Sequence, residues 1–130
     1  MALRWFKRNR PPEIWDERID GPIGDLEAAH RIRDICRAAA DSAQQVAGFA
    51  GKSDSKKKRR GAERYESAAK AAMMIAMKIA DDLLRDAAVR QIIDLCVKAD
   101  DLTRARILLR AIQAASIREG VLQEHPALQQ

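Results

Sequence analysis

The sequence predicts an all-α protein: four helices forming two antiparallel hairpins behind an irregular N-terminal arm. Three observations point there. From about residue 25 onward, apolar residues recur every three or four positions, the spacing of one helix face. The middle and end of the chain are dominated by alanine, leucine, isoleucine, methionine, arginine, lysine and glutamine, which lose little side-chain freedom in a helix. Aromatic residues make up only 4% of the 130, and long alternating runs of Val, Thr, Tyr and Phe are missing, so strands have no support. A chain of this length is most simply one domain with a buried core.

Residues 1–24 hold Pro11, Pro12, Gly21, Pro22 and Gly24, too much punctuation for a long helix. They read as an arm with a short turn around Glu13 to Arg18. Trp5, Phe6 and Trp15 lie in it. The first expectation is that Trp15 or Phe6 packs back onto the helices. The alternative is a basic, aromatic arm that docks on a partner, with Trp5 and Phe6 as contacts. Residues 25–130 form the single helical domain.

The first helix is expected over about 25–48, with Asp25 as N-cap and Leu26, Ala29, Ile32, Cys36, Ala39, Ala43 and Val46 facing inward. A loop over 51–61 follows, marked by Gly51, Ser53, Asp54, Ser55 and Gly61. The second helix is placed at about 62–80, with Tyr65, Ala69, Ala72, Ala76 and Ile79 inward. Its run AAMMIAM is apolar nearly all round, as in a helix buried on more than one side. Met73, Met74 and Met77 suit either irregular core gaps or a partner surface. ADD at 80–82 reads as a helix end followed by a new N-cap. The third helix is expected over about 83–99, with Ala88, Ile92, Leu95, Cys96 and Ala99 inward. ADD recurs at 99–101. The fourth helix is expected over about 102–119, with Ala105, Leu108, Leu109, Ile112 and Ala115 inward and Gly120 as its stop.

The chain repeats itself. RIRDICRAAAD (31–41) aligns with QIIDLCVKADD (91–101) at an offset of 60, matching Ile32 with Ile92, Cys36 with Cys96 and Ala39 with Ala99. At an offset of 33, Ala72 matches Ala105, Ile79 matches Ile112 and Arg85 matches Arg118. Helix one therefore corresponds to helix three, and helix two to helix four. The basic stretch falls in extra length within the first hairpin. The shorter offset is a period that belongs to helical repeat arrays. AAVRQIIDLCVKADDLTRARILLRAI, within about residues 84–119, resembles a tetratricopeptide-type hairpin. Val89, Ile92, Cys96, Asp101, Leu102, Ala105 and Leu109 fall where that repeat places packing residues and its turn. It departs from the pattern at Ile93 and Ile112. The resemblance implies a helical-hairpin protein used for protein–protein contact. Arrays usually need about three repeats for a continuous core. Two hairpins would thus close into a bundle or pair with another chain, a second copy included.

The formal net charge is +5 and is concentrated in short segments. Residues 1–10 carry +4, residues 11–51 carry −4, residues 52–60 carry +5 and residues 61–130 carry none. A uniformly basic nucleic-acid-binding domain would look different. Lys52, Lys56, Lys57, Lys58, Arg59 and Arg60 are the candidate contacts to nucleic acid or another anionic surface. Phosphate contact needs only flexible cations, but no aromatic interleaves with this run for base stacking.

Catalytic and metal chemistry find little support. Glu27 and His30 form one Glu-x-x-His pair, where di-iron bundles use two such pairs with two further glutamates. Cys36 and Cys96 sit on apolar faces and suit small packing roles. The Asp pairs at 81–82 and 100–101 suit helix caps. Phosphate-loop, dinucleotide-fold and nucleophile-elbow motifs do not appear. MALRWFKRNRPP lacks the apolar core of a secretory signal. No run approaches the roughly 20 apolar residues of a membrane span. Together these features describe a cytoplasmic, non-catalytic interaction, assembly or regulatory protein that uses no cofactor or metal. Nucleic-acid or anionic-surface binding through residues 52–60 and the arm is the alternative.

Overall fold

The computed structural model describes residues 12–48 and 55–129, and every regular element among them is helical. The helices are α1 (Asp25–Gly48), α2 (Ser55–Ala76), α3 (Asp82–Lys98), α4 (Leu102–Ala111) and α5 (Ala115–Glu124), with 3-10 turns at Ile14–Asp16 and Pro126–Gln129. They pack as an all-α bundle. α1 lies against both α2 and α3, and α4 and α5 pack on α3.

Helix α1 buries Ala28, Ile32, Ile35, Ala39, Ser42 and Ala43. This stripe differs from the expected one: Leu26 is exposed and Cys36 only half-buried. Two neighbours grip α1 from different sides, and the spacing 28, 32, 35, 39, 42 follows the seam between them. Opposite it, α2 buries Tyr65, Ala68, Ala69, Ala72, Ile75 and Ala76. Alanines on both helices allow close approach. Gly61 completes the contact: a Cβ there would meet Gln45 Oε1 at 3.0 Å and the Ser42 carbonyl at 3.3 Å.

Gly61 was expected to be a breaker, and residues 51–61 a loop. Residues 55–61 are instead helical. Lysine and arginine are good helix formers, and at Gly61 the missing side chain is what the crossing with α1 requires. Much of the extra length of the first hairpin is thus spent on longer helices. α1 and α2 have 24 and 22 residues, against 17 and 10 for α3 and α4.

Asp81 and Asp101 act as N-caps as their sequence context suggests, accepting from Leu84 N and Arg104 N. Between α3 and α4, Asp101 N donates to Cys96 O and Asp100 N to Val97 O, with Asp100 at φ 59°. This is a Schellman ending with aspartate in the left-handed position usually held by glycine.

The expected fourth helix is two helices. The chain leaves α4 at Ile112, which is buried, and restarts at Ala115. Gly120, the expected stop, lies inside α5. No glycine or proline marks the break; tertiary contacts make it. Asp86 is buried in α3, and its Oδ2 accepts from both Gln113 N (3.2 Å) and Ala114 N (2.9 Å). Arg118 Nη1 donates to the Ile112 carbonyl at 2.9 Å.

The α2–α3 turn has the same construction. α2 ends at Ala76, earlier than expected, and Ile79 enters the core. Arg85 Nη1 donates to the Ile79 carbonyl at 3.3 Å. Asp25 accepts from Ala80 N (3.0 Å) and Asp81 N (2.9 Å). Every member on the turn side recurs at the shorter repeat offset: Ile79 as Ile112, 80–81 as 113–114, Arg85 as Arg118. The helices that follow the two turns, α3 from Asp82 and α5 from Ala115, begin at that same offset. The internal repeat is therefore a repeat of turn chemistry as well as of sequence.

The N-terminal arm folds back in part. Trp15 is buried, and the Arg64 guanidinium sits 5.3 Å from its ring centroid while bonding Glu13 Oε2 and Ser42 Oγ.

Candidate functional site

Two surfaces stand at opposite ends of α2. Its 22 residues rise about 1.5 Å each, so they are separated by about 30 Å.

The first is apolar and surrounds the Asp25 clamp. Asp25, the first residue of α1, was expected to cap its own helix. Its carboxylate crosses instead to the α2–α3 turn, and the two backbone N–H bonds from that turn hold its pKa below the ordinary value of 3.8. Leu26 follows Asp25 directly. Met77 and Leu83 flank the clamped turn on either side, and Met74 lies one turn back along α2. These four side chains are each at least 64% exposed, although all are large and apolar. Met73 packs partly against the core. Of the methionines named as partner contacts, then, the fold exposes two and uses one for packing. Leu26 and Leu83 were not among the sequence-based candidates. Each was assigned to or beside a core stripe, and only the position of the turn shows that it lies outside.

The second surface is basic. Lys56, Lys57, Lys58, Arg59 and Arg60 are all exposed and wind through the first two turns of α2. They occupy the positive end of the helix macrodipole, with no acidic residue in the first turn. Lys52, Trp5 and Phe6 lie outside the described residues.

Between the two ends lies a polar network. The Tyr65 hydroxyl donates to Asp101 Oδ2 at 2.7 Å, and Arg104 Nη1 donates to the same oxygen at 3.0 Å. Arg104 Nη2 bonds Glu66 Oε1. That bond holds the Glu66 carboxyl below its ordinary 4.5, and burial pushes the Tyr65 hydroxyl upward. Burial also pushes the Cys36 thiol up to about 12 and the Cys96 thiol up to about 11, so neither is a thiolate near pH 7.

Glu27 and His30 are both exposed. His125 is held by Asp94 at 2.7 Å. Asp94, Glu124 and His125 bring one ligand atom each within 4.8 Å of one another. Glu124 is already bonded to Arg90 at 2.7 Å, so the cluster serves to tie the end of α5 to α3. Its members come from two helices and a cap, and no local motif announces it.

No helix among the described residues is long and apolar enough to cross a membrane. Comparison with protein-family models, curated proteins and solved structures finds no match to this chain.

Proposed function

We propose that this is a non-catalytic helical-hairpin protein of tetratricopeptide-like construction that works by binding another protein chain. The observation that carries the reading is the apolar end: Leu26, Met74, Met77 and Leu83 exposed around one clamped turn. Large apolar side chains scattered singly are ordinary, but grouped at one end they mark a contact surface. Methionine adds a side chain that adapts to a partner's shape. The recurrence of the turn contacts at the repeat offset supports the hairpin-array part of the reading.

The test places a photo-crosslinking amino acid at Met77 and, as control, at Gln44 on the exposed side of α1. Protein adducts are expected at position 77 in the native host and not at 44. They should vanish when Leu26 and Leu83 are changed to serine. Equal adducts at both positions, or none at 77, would remove the proposal. Sedimentation of the purified protein then shows whether the partner is a second copy.

A second reading rests on the basic start of α2. Four exposed cations at the positive end of a helix, Lys56, Lys58, Arg59 and Arg60, are held against both the dipole and one another, and a polyanion would relieve this. Labelled RNA, labelled DNA and anionic vesicles are expected to bind in a steeply salt-dependent way, and a variant with residues 56–60 changed to glutamine should not bind. Equal binding by that variant would exclude the run as the contact.

A further inference from the structure

We propose that the groove between α1 and α3 binds a small, multiply charged phosphorylated molecule. The groove is open to solvent, has a volume of about 410 Å³, and is lined from one side by Arg33, Cys36, Arg37 and Ala40, and from the other by Gln91, Asp94 and Lys98. This volume lies within the range of small-ligand sites, roughly 300–1,000 Å³.

The charge in the groove is out of balance. Three cations face one carboxylate, and Asp94 is already engaged by His125 at 2.7 Å. The Nε–H of Arg33 is buried without an acceptor. Its ion-pair partner Asp34 comes no nearer than 3.7 Å, beyond hydrogen-bonding reach. Arg37 and Lys98 meet no carboxylate among the described residues. Arg33 and Arg37 are also four residues apart on one helix, a spacing at which like charges repel.

A buried donor without an acceptor is costly, and because the rest of the Arg33 side chain is exposed, a turn of that side chain would bring the donor to a phosphate oxygen in the groove. Guanidinium groups present planar pairs of donors that match phosphate oxygens. Lys98 supplies a mobile third charge, and the Gln91 amide can meet an ester oxygen. A monocarboxylate would offset only one of the three cations, whereas a diphosphate offsets them together. The Cys36 thiol in the wall is neutral and leaves the positive field intact. The groove lies over the middle of α1 and the C-terminal half of α3, apart from Lys56–Arg60 and from the apolar end.

Sodium pyrophosphate is the probe. It is titrated at constant ionic strength into isotope-labelled protein, following the Arg33 and Arg37 side-chain Nε–H signals and the Ala40 and Gln91 backbone amides. A saturable shift at these positions is expected, with a Kd of about 1 mM or tighter. Arg37→Gln and Lys98→Gln should each weaken it about tenfold as read at Ala40 and Gln91. Both residues are exposed, and circular dichroism checks that the variants fold. Neutralising residues 56–60 should leave the affinity within about twofold. The proposal is overturned if the shift does not saturate, if sodium chloride reproduces it, if it is confined to residues 56–60, or if Arg37→Gln and Lys98→Gln bind as the parent does.

Discussion

Replacing Asp86 with alanine is expected to lower the unfolding free energy by about 2–4 kcal/mol, read as a shift of the urea midpoint with little change in slope. Asp86 is buried, and its Oδ2 is the acceptor for two backbone N–H groups, Gln113 and Ala114. Those residues carry the chain out of α4 and into α5. Alanine removes the acceptor and leaves both donors in a part-buried turn beside Ile112, which is itself buried. Since domains of this size are stable by only about 5–15 kcal/mol, the loss is a large fraction of the whole.

The geometry also ranks the substitutions. One oxygen of Asp86 takes both bonds, so asparagine can keep them by presenting its single carbonyl oxygen. Asp86→Asn should therefore cost much less than Asp86→Ala, about 1 kcal/mol. Asp25 divides its work between Oδ1 and Oδ2, and asparagine there would set an amide donor against one of the turn's N–H groups. Asp25 is only half-buried, however, and water replaces much of what is lost. Both substitutions at Asp25 should be milder than Asp86→Ala and similar to each other. If Asp86→Asn proved as damaging as Asp86→Ala, the single-oxygen account of the turn would be wrong.

These clamps mark what could be read from the sequence. Asp81 and Asp101 are local caps, each bonding a residue three positions on, and ADD announces them. Ile79, Ile112, Arg85 and Arg118 are visible as matches at the repeat offset, and they make the same bond in both turns. The break at 112–114 was not legible, because AIQAA contains no breaker and the acceptor that makes the turn, Asp86, lies far upstream in α3. Transferring the break from its repeat counterpart at 79–81 would have found it. The same limit applied to the start of α2. Gly61 has the appearance of punctuation, but Gln45 and Ser42 on the facing helix need the space its missing side chain leaves. The apolar end depended on a turn position as well: Met77 lies beyond α2 only because Ile79 turns inward two residues later.

Replacing Arg104 with methionine is expected to cost about 2 kcal/mol near neutral pH, and the cost should shrink in acid. Methionine keeps much of the stem packed beside Tyr65, whose ring centroid lies 5.7 Å from the guanidinium carbon. It removes the charge between Glu66 and Asp101, leaving two carboxylates facing each other with only the exposed Lys70 ammonium, 3.9 Å from Glu66, to offset them. Breaking a fully buried pair costs about 3–5 kcal/mol. Here Glu66 is nearly half exposed, and solvent screening reduces the figure. The pH dependence follows from Glu66, whose folded pKa lies below 4.5 because of Arg104. A depressed carboxylate contributes stability that is present above its unfolded pKa and is lost as pH falls through the folded value. The parent protein should therefore lose this contribution on acidification below about pH 4.5. The variant, having already lost it, should have a flatter acid limb, and the two stability curves should converge. Tyr65→Phe separates the network's parts: it deletes the 2.7 Å bond to Asp101 but leaves the Arg104–Glu66 pair, so its acid limb should run parallel to the parent's. Parallel curves for Arg104→Met would place the acid sensitivity elsewhere, the Arg90–Glu124 pair being the next candidate because it too holds a carboxyl below its ordinary range.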